Sequence, residues 1–353
     1  MTKDKSIFIK NIYYMLSYAF TTLKRDEYKD ITTEEFENIH NLFAAILGKG
    51  IGRQLKQGLY REYLDRKEDL VTVRGKIDMP GTIRNHLAKK RVLTCEYDEL
   101  SENNLLNQII KTTVMLLLRH AQVDQKYKDT LKKEMLFFSN VATIDPSAIR
   151  WTTIRFRRNN STYRMLISLC QLIIEGMLLT TDSGEYRLAS FIDEQRMSRL
   201  YEKFILEYYI KECPQVTAAA SQIPWALDDG IGTMLPIMAS DITLSSKDGS
   251  EVLIIEAKYY KRTTQRRHNV HSIHSNNLYQ IFSYVKNRDA AFEGRPHRVS
   301  GMLLYAATDE AIQPDGVYQM SGNQISVKTL DLNREFAEIA AQLNQIVDDH
   351  FGG

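Results

Sequence analysis

The sequence predicts an α/β (α+β) fold: a mainly helical N-terminal domain followed by a domain in which strands alternate with helices. Three observations predict it. Apolar positions recur at helical spacing through much of the first half. The last third changes period, to short alternating or continuously apolar runs. The chain has 353 residues, more than one domain usually holds and enough for two. Asp145-Pro146 and the basic stretch 154–160 interrupt the pattern, so the expected division is 1–160 and 161–353.

Taken in order, residues 7–24 place Ile7, Ile12, Met15, Leu16, Tyr18, Ala19 and Leu23 on one helical stripe. A second helix is expected over 33–47, capped by Thr32 or Thr33 and closed by Gly48, Gly50 and Gly52, with another following over 54–63. Residues 69–76 and 92–97 are strand candidates. Residues 101–120 form a strong helix, capped by Ser101, with Leu105, Ile109, Ile110, Val114, Leu117 and Leu118 as its stripe. Helix continues to about residue 140 and returns over 163–179 and 193–213. Strands follow over 236–246 and 251–261, joined by Lys247-Asp248-Gly249-Ser250. A helix over 275–287, a buried strand over 299–307, a strand over 325–332 and a helix over 333–350 complete the chain. Strand, strand, helix, strand is α/β logic with a crossover helix.

Composition excludes several classes. Charged residues make up 25 %, a globular value, and the formal net charge is only +2, so any nucleic-acid grip must be local or lent by a partner. Cys95, Cys170 and Cys213 form no CxxC pair and read as small buried hydrophobes in a reducing compartment. The first apolar run is broken by Lys10 and Asn11, against a signal peptide, and no run reaches the roughly 20 apolar residues of a membrane span. The expectation is a cytoplasmic chain with no membrane association.

The chemistry gathers in the C-terminal third. Asp248-Gly249 suits a two-residue type I′ turn, which sets Lys247 opposite Ser250 and, counting outward, Asp241 opposite Glu256. Two carboxylates about 5 Å apart on one face repel unless compensated, and hard oxygen ligands suit Mg²⁺. Lys258, two residues on, shares that face. It follows the apolar run Val252, Leu253, Ile254 and Ile255, which suggests a strand buried on both sides. Two metal-binding acids and an ammonium are what phosphodiester hydrolysis needs, and D…ExK is the PD-(D/E)xK nuclease pattern. Taken alone the pattern also fits a surface hairpin with a cross-strand ion pair.

Auxiliaries are open in the same way. Gln280 and Tyr284 share a helix face and could touch the scissile strand, or be ordinary half-buried polar side chains. Glu202, upstream on an apolar helix, could complete the metal shell or face solvent. Between strand and helix lies a basic segment holding Lys261, Arg262, Arg266 and Arg267, with His268, His271 and His274; it reads as a DNA-contacting or mobile loop. Zinc is disfavoured there because no cysteine or acid completes a tetrahedral set. There is no GxxxxGK[ST], so the chain should not hydrolyse nucleotides itself, and no GxSxG or HExxH.

The run SDITLSSKDGSEVLIIEAKYYK followed by HSNNLYQIFSYV resembles the McrC family, the nuclease subunit of modified-cytosine-dependent McrBC-type restriction systems. NIYYMLSYAF, VRGKIDMPGTI and CEYDELSENNLLNQIIKTTVMLL agree, so the resemblance runs through nearly the whole chain. It implies a GTP-hydrolysing AAA+ partner, McrB-like, that forms hexameric rings and recognises methylated cytosine in double-stranded DNA, GTP being bound by the partner. It implies that residues 1–160 dock on or insert into the ring and stimulate its GTPase. It implies that 161–353 form a PD-(D/E)xK nuclease domain that can pair with a second copy. Asp241, Glu256 and Lys258 match the family's motif. Two other readings stand beside this one: an activator subunit with a vestigial nuclease site, and a stand-alone RecB-like repair nuclease.

Overall fold

The computed structural model describes residues 3–4, 7–20, 23, 28, 31, 33–156, 161–180, 186–189, 192–260, 264–267, 270–292 and 294–352. The chain divides into two compact units. One comprises Met1–Leu42, Glu175–Met177 and Ala189–Gly353; the other comprises Phe43–Ile174 and Leu178–Leu188. These do not follow a single cut at residue 160. The reason lies in the first helix. After the short pair β1 (Lys3–Asp4) and β2 (Ile7–Phe8), helix α1 (Ile9–Ala19) is buried around nearly its whole circumference. Its partners come from the far end of the sequence: Asn11 donates to the Leu332 and Arg334 carbonyls, Tyr18 donates to Glu212, and Tyr14 stacks on Phe336 at 4.2 Å. A helix with no polar face must be enclosed by other elements.

The second unit is built from α2 (Ile39–Gln57), which runs into it, and the antiparallel strands β3 (Glu62–Leu70), β4 (Lys76–Ile77) and β5 (Leu93–Ser101), with α3 (Met79–Leu87) between β4 and β5. Helices α4 (Leu105–Arg119), α5 (Gln125–Met135) and α6 (Ser161–Met177) and the strand pair β6 (Leu178–Thr180) and β7 (Tyr186–Leu188) follow. Two local expectations are corrected. Gly48 and Gly52 lie inside α2 rather than ending it. A Cβ at Gly48 would stand 3.3 Å from Thr130 Cγ2, and one at Gly52 2.9 Å from Glu134 Oε1, so both glycines admit α5 at close range. Ser101 ends β5, and Asn104 caps α4 by accepting from the Asn107 N–H. The core includes a polar knot in which Tyr163 donates to Asn107 while accepting the Tyr60 N–H.

The first unit is organised by a six-stranded mixed sheet. Helix α7 (Glu194–Glu212), capped by Asp193, precedes β8 (Thr217–Ala219). The short pair β9 (Gln222–Ile223) and β10 (Met238–Ala239) leads into β11 (Ile242–Ser245) and β12 (Glu251–Lys258). After β12 come β13 (Thr264–Arg267) and β14 (Val270–Ile273), then helix α8 (Ser275–Ala290). The remaining elements are β15 (Arg298–Ala306), β16 (Gly316–Met320), β17 (Asn323–Leu330) and helix α9 (Phe336–Phe351). The sheet order is β16-β17-β15-β12-β11-β8, with β12, β15 and β17 parallel. Helix α8 is the crossover between β12 and β15, as expected for a parallel pair. Val252 and Ile254 share a core with Ile281 and Val285 of α8 and Val299 and Leu303 of β15. Leu253, Ile255 and Ala257 alternate to the other side, and α7 contacts β12.

The segment read as a basic loop is a two-stranded ribbon where described: β13 pairs antiparallel with β14, Arg266 opposite His271. Lys261, Arg262 and His268 lie outside the described residues. Cys95, Cys170 and Cys213 are buried free thiols, and burial pushes Cys170 up to about 12. Among the described residues, no helix is long and apolar enough to cross a membrane.

Candidate active site

The site forms where β11 begins and β12 ends. Ile242 pairs with Ile255 and Ser245 with Val252, so the same register sets Asp241 opposite Glu256. The intervening turn differs from the expected two-residue type I′ turn, which needs two residues at positive φ. Only Gly249 of the pair has one, at 75°. The Ser246 N–H donates to the Glu251 carbonyl, and the Gly249 N–H to the Ser246 carbonyl. The Asp248 carboxylate gathers the Ser246 and Ser250 hydroxyls and the Ser250 N–H. The loop is therefore four residues long.

Because Val252 and Ile254 face α8, alternation carries Glu256 and Lys258 to the same side. Glu256 is only 1 % exposed. Its Oε1 accepts the Asp241 N–H at 3.2 Å, and its Oε2 accepts from Lys258 Nζ at 2.7 Å. Asp241 Oδ2 accepts the Ala257 N–H at 3.0 Å and lies 3.9 Å from Lys258 Nζ. Burial, reinforced by the Glu256 carboxylate, pushes Asp241 up to about 7. For Lys258, burial opposes the charge. The Glu256 and Asp241 carboxylates outweigh it, and the pKa rises above the ordinary lysine value. One ammonium thus faces two buried carboxyl groups, so the two acids share a single cationic partner. A buried, electron-rich pair of hard oxygen donors fits a divalent cation such as Mg²⁺.

The other predicted residues are placed differently. Glu202 lies on α7 and carries a pKa raised by burial; the charges of Lys258 and Glu256 reach it, but its carboxylate accepts from the Ser198 hydroxyl at 3.0 Å. Among the described residues no three His, Cys, Asp or Glu side chains come together as a metal-holding group, so Glu202 is not gathered with the pair. Gln280 and Tyr284 sit on α8, the helix of the Glu256 side, and Gln280 Nε2 donates to the Tyr284 hydroxyl at 3.1 Å. His274, at the N-terminus of α8, lies 5.3 Å ring to ring from Tyr260. Three residues that the sequence reading passed over surround Lys258. Tyr305 is its register partner on β15, Tyr260 follows it by two residues, and Asn277 bonds to both tyrosines. The period-two spacing from Glu256 through Lys258 to Tyr260 was the one available signal.

The chain is 28 % identical over 346 residues, covering 97 % of both proteins, to the type IV methyl-directed restriction enzyme EcoKMcrBC of Escherichia coli strain K12. Its fold resembles a chain in the half-complex of the tetradecameric assembly of Thermococcus gammatolerans McrB AAA+ hexamers with bound McrC. There the TM-score is 0.52 at 19 % identity, with 96 % of this chain and 76 % of that one covered. The sequence model of the McrBC 5-methylcytosine restriction system component matches residues 3–306, so this chain belongs to that family.

Proposed function

We propose that this chain is the nuclease subunit of a GTP-dependent, modified-cytosine-dependent restriction complex, and that it hydrolyses DNA phosphodiester bonds at a PD-(D/E)xK site. The observation that carries this reading is the meeting of Asp241, Glu256 and Lys258 at the end of a buried strand, with Asp241 raised to about 7 by burial and by the Glu256 charge. Asp241 and Glu256 would hold Mg²⁺. When bound, that ion supplies charge stabilisation and an activated water. Lys258, 2.7 Å from Glu256, would orient the attacking water and offset charge on the phosphate. Gln280 and Tyr284 would contact the scissile strand from α8. Glu202, whose Oε1 accepts from Ser198, would complete the metal shell through a movement of its side chain toward the pair.

The proposed partner is a McrB-like AAA+ hexamer that binds and hydrolyses GTP; the assembly that contains a chain of similar fold is one of McrB AAA+ hexamers with bound McrC. The second compact unit supports docking. The turn between β3 and β4 presents Val71, 82 % exposed, and Val73 to solvent, flanked by Arg66, Lys67, Arg74 and Lys76. Exposed apolar side chains rimmed by charge suit a protein partner. In this reading the unit also stimulates the motor's GTPase, and the nuclease unit can pair with a second copy. A net charge of +2 suits a subunit that borrows its DNA affinity.

The test is plasmid cleavage by the chain together with its motor, Mg²⁺ and GTP, on methylated and unmethylated DNA, with Lys258→Ala as control. Methylation- and GTP-dependent linearisation that vanishes in the variant is expected. GTPase stimulation without any nicking would instead favour an activator with a vestigial site. Cleavage by the chain alone, indifferent to methylation, would favour a repair nuclease.

A further inference from the structure

Lys258 has a side chain long enough to take many rotamers, and its ammonium is held at the tip by the two acids, Glu256 at 2.7 Å and Asp241 at 3.9 Å. A carboxylate engaged by a cation gives up part of such a contact. The stem must then be held from the side if the ammonium is to keep its aim. Three residues outside the catalytic set are arranged to do this. Tyr305, fully buried, is the register partner of Lys258 on the parallel strand β15, so its ring stands on the same face beside the lysine. Asn277, buried in the first turn of α8, donates Nδ2 to the Tyr305 hydroxyl at 2.9 Å. The Tyr260 hydroxyl donates to Asn277 Oδ1 at 3.2 Å, and the Tyr260 and Tyr305 rings lie 6.2 Å apart. One amide therefore bridges two phenols, Tyr305 on β15 and Tyr260 just past the end of β12, next to the lysine. A buried amide with both ends occupied holds its rotamer, and the rings it bonds hold theirs.

We propose that Asn277 is a positioning residue for Lys258: by bridging Tyr260 and Tyr305 it fixes the aromatic wall beside the lysine stem and so aims the ammonium at the substrate phosphate. This rests on the nuclease reading. Asn277 acts through the lysine and not on DNA, so its removal should change turnover and leave substrate binding alone.

The experiment measures kcat and KM for methylated plasmid with the assembled complex, comparing the unsubstituted chain with Asn277→Leu, Tyr305→Phe and the double variant. Each single substitution is expected to lower kcat on the order of tenfold with KM within about twofold, the pattern of an interaction that matters only in the transition state. The double variant should be no slower than the worse single one, because both remove the same bridge. Tyr305→Phe deletes one oxygen and keeps the ring, so it remains informative if Asn277→Leu folds poorly. A lowered melting temperature with unchanged kcat would overturn the inference in favour of a packing role. Multiplying losses in the double variant would also overturn it, as would a raised KM at constant kcat. No cleavage by the unsubstituted complex would remove the nuclease reading and this inference with it, whereas active cleavage insensitive to all three variants would remove the inference alone.

Discussion

The main-chain N–H of Asp241 donates to Glu256 Oε1 at 3.2 Å, so the two acids of the site are tied by a hydrogen bond as well as opposed by charge. The bond fixes their separation and prevents the repulsion from relaxing by drift. In the proposed reading, Mg²⁺ relieves the part of the repulsion that Lys258 leaves. Asp241→Asn removes one charge and keeps the shape. In a chelator, this variant should melt above the parent chain. Mg²⁺ should raise the parent's melting temperature, by about 2.7 kcal/mol of stability at a hundred times its Kd, and leave the variant's nearly unmoved. Cleavage should fall about a hundredfold or more. Equal responses of the two proteins to Mg²⁺ in differential scanning fluorimetry would remove the metal from this pair.

Gly301 on β15 is where α8 meets the sheet. A Cβ there would stand 2.7 Å from Val285 Cγ2 and 2.8 Å from Ile281 Cγ1, both in the buried core. These atoms cannot swing away as the tip of a lysine could. Gly301→Ala should destabilise the chain by about 1–3 kcal/mol, the usual cost of overpacking. It should also lower turnover, because Asn277, Gln280 and Tyr284 all ride on the displaced helix. Urea midpoint and kcat should fall together in this variant.

What the sequence made legible here depends on the range of the interaction. The register of the β11–β12 hairpin was readable although the turn type was not. A two-residue loop closed by Lys247 and Ser250 and the observed four-residue loop closed by Ser246 and Glu251 share one centre, so both set Asp241 opposite Glu256. The glycines at 48 and 52 were misread as terminators, because their reason for being glycine is α5, some eighty residues on. Of the wall beside Lys258, only Tyr260 was signalled, by its period-two spacing from Glu256 and Lys258. The Asn277 to Tyr305 bond depends on which residue of β15 faces Lys258 across a parallel pair, and no turn fixes that register. The membership of α1 in the C-terminal unit was hidden for the same reason, since Asn11 finds its acceptors more than three hundred residues away.

Glu134 gives the second unit a pH dependence. Burial pushes its carboxyl from 4.5 up to about 8, against the Gly52 N–H, which favours the charge; Oε2 is buried with no hydrogen-bond partner among the described residues. A carboxyl whose folded pKa is raised favours folding while protonated. That contribution is complete below about pH 4.5 and is lost as pH rises through about 8. Glu134→Gln should therefore match the parent in urea unfolding near the acid end and exceed it above pH 8. Curves that stay parallel across the range would mean that the carboxyl ionises as freely in the folded chain as in the unfolded one.

The ribbon of β13 and β14 leaves β12 just after the proposed catalytic lysine, within a stretch of unusual charge. Residues 257–288 contain no Asp or Glu and seven Lys or Arg, in a chain whose formal net charge is only +2. A two-stranded ribbon is narrow enough to enter a DNA groove, and each phosphate contact made by a basic residue releases counterions. Arg266→Gln with Arg267→Gln should weaken binding of a short duplex and lower the slope of log K against log salt by up to about 1.8, or about 0.9 per lost contact. Ca²⁺ in place of Mg²⁺ would keep the duplex intact during fluorescence anisotropy titrations. GTPase stimulation should be unchanged, because both arginines lie in the first unit and the proposed motor contact lies in the second. Unchanged affinity and slope would mean that the ribbon's charge is not used on DNA, and loss of GTPase stimulation would assign it to the motor instead.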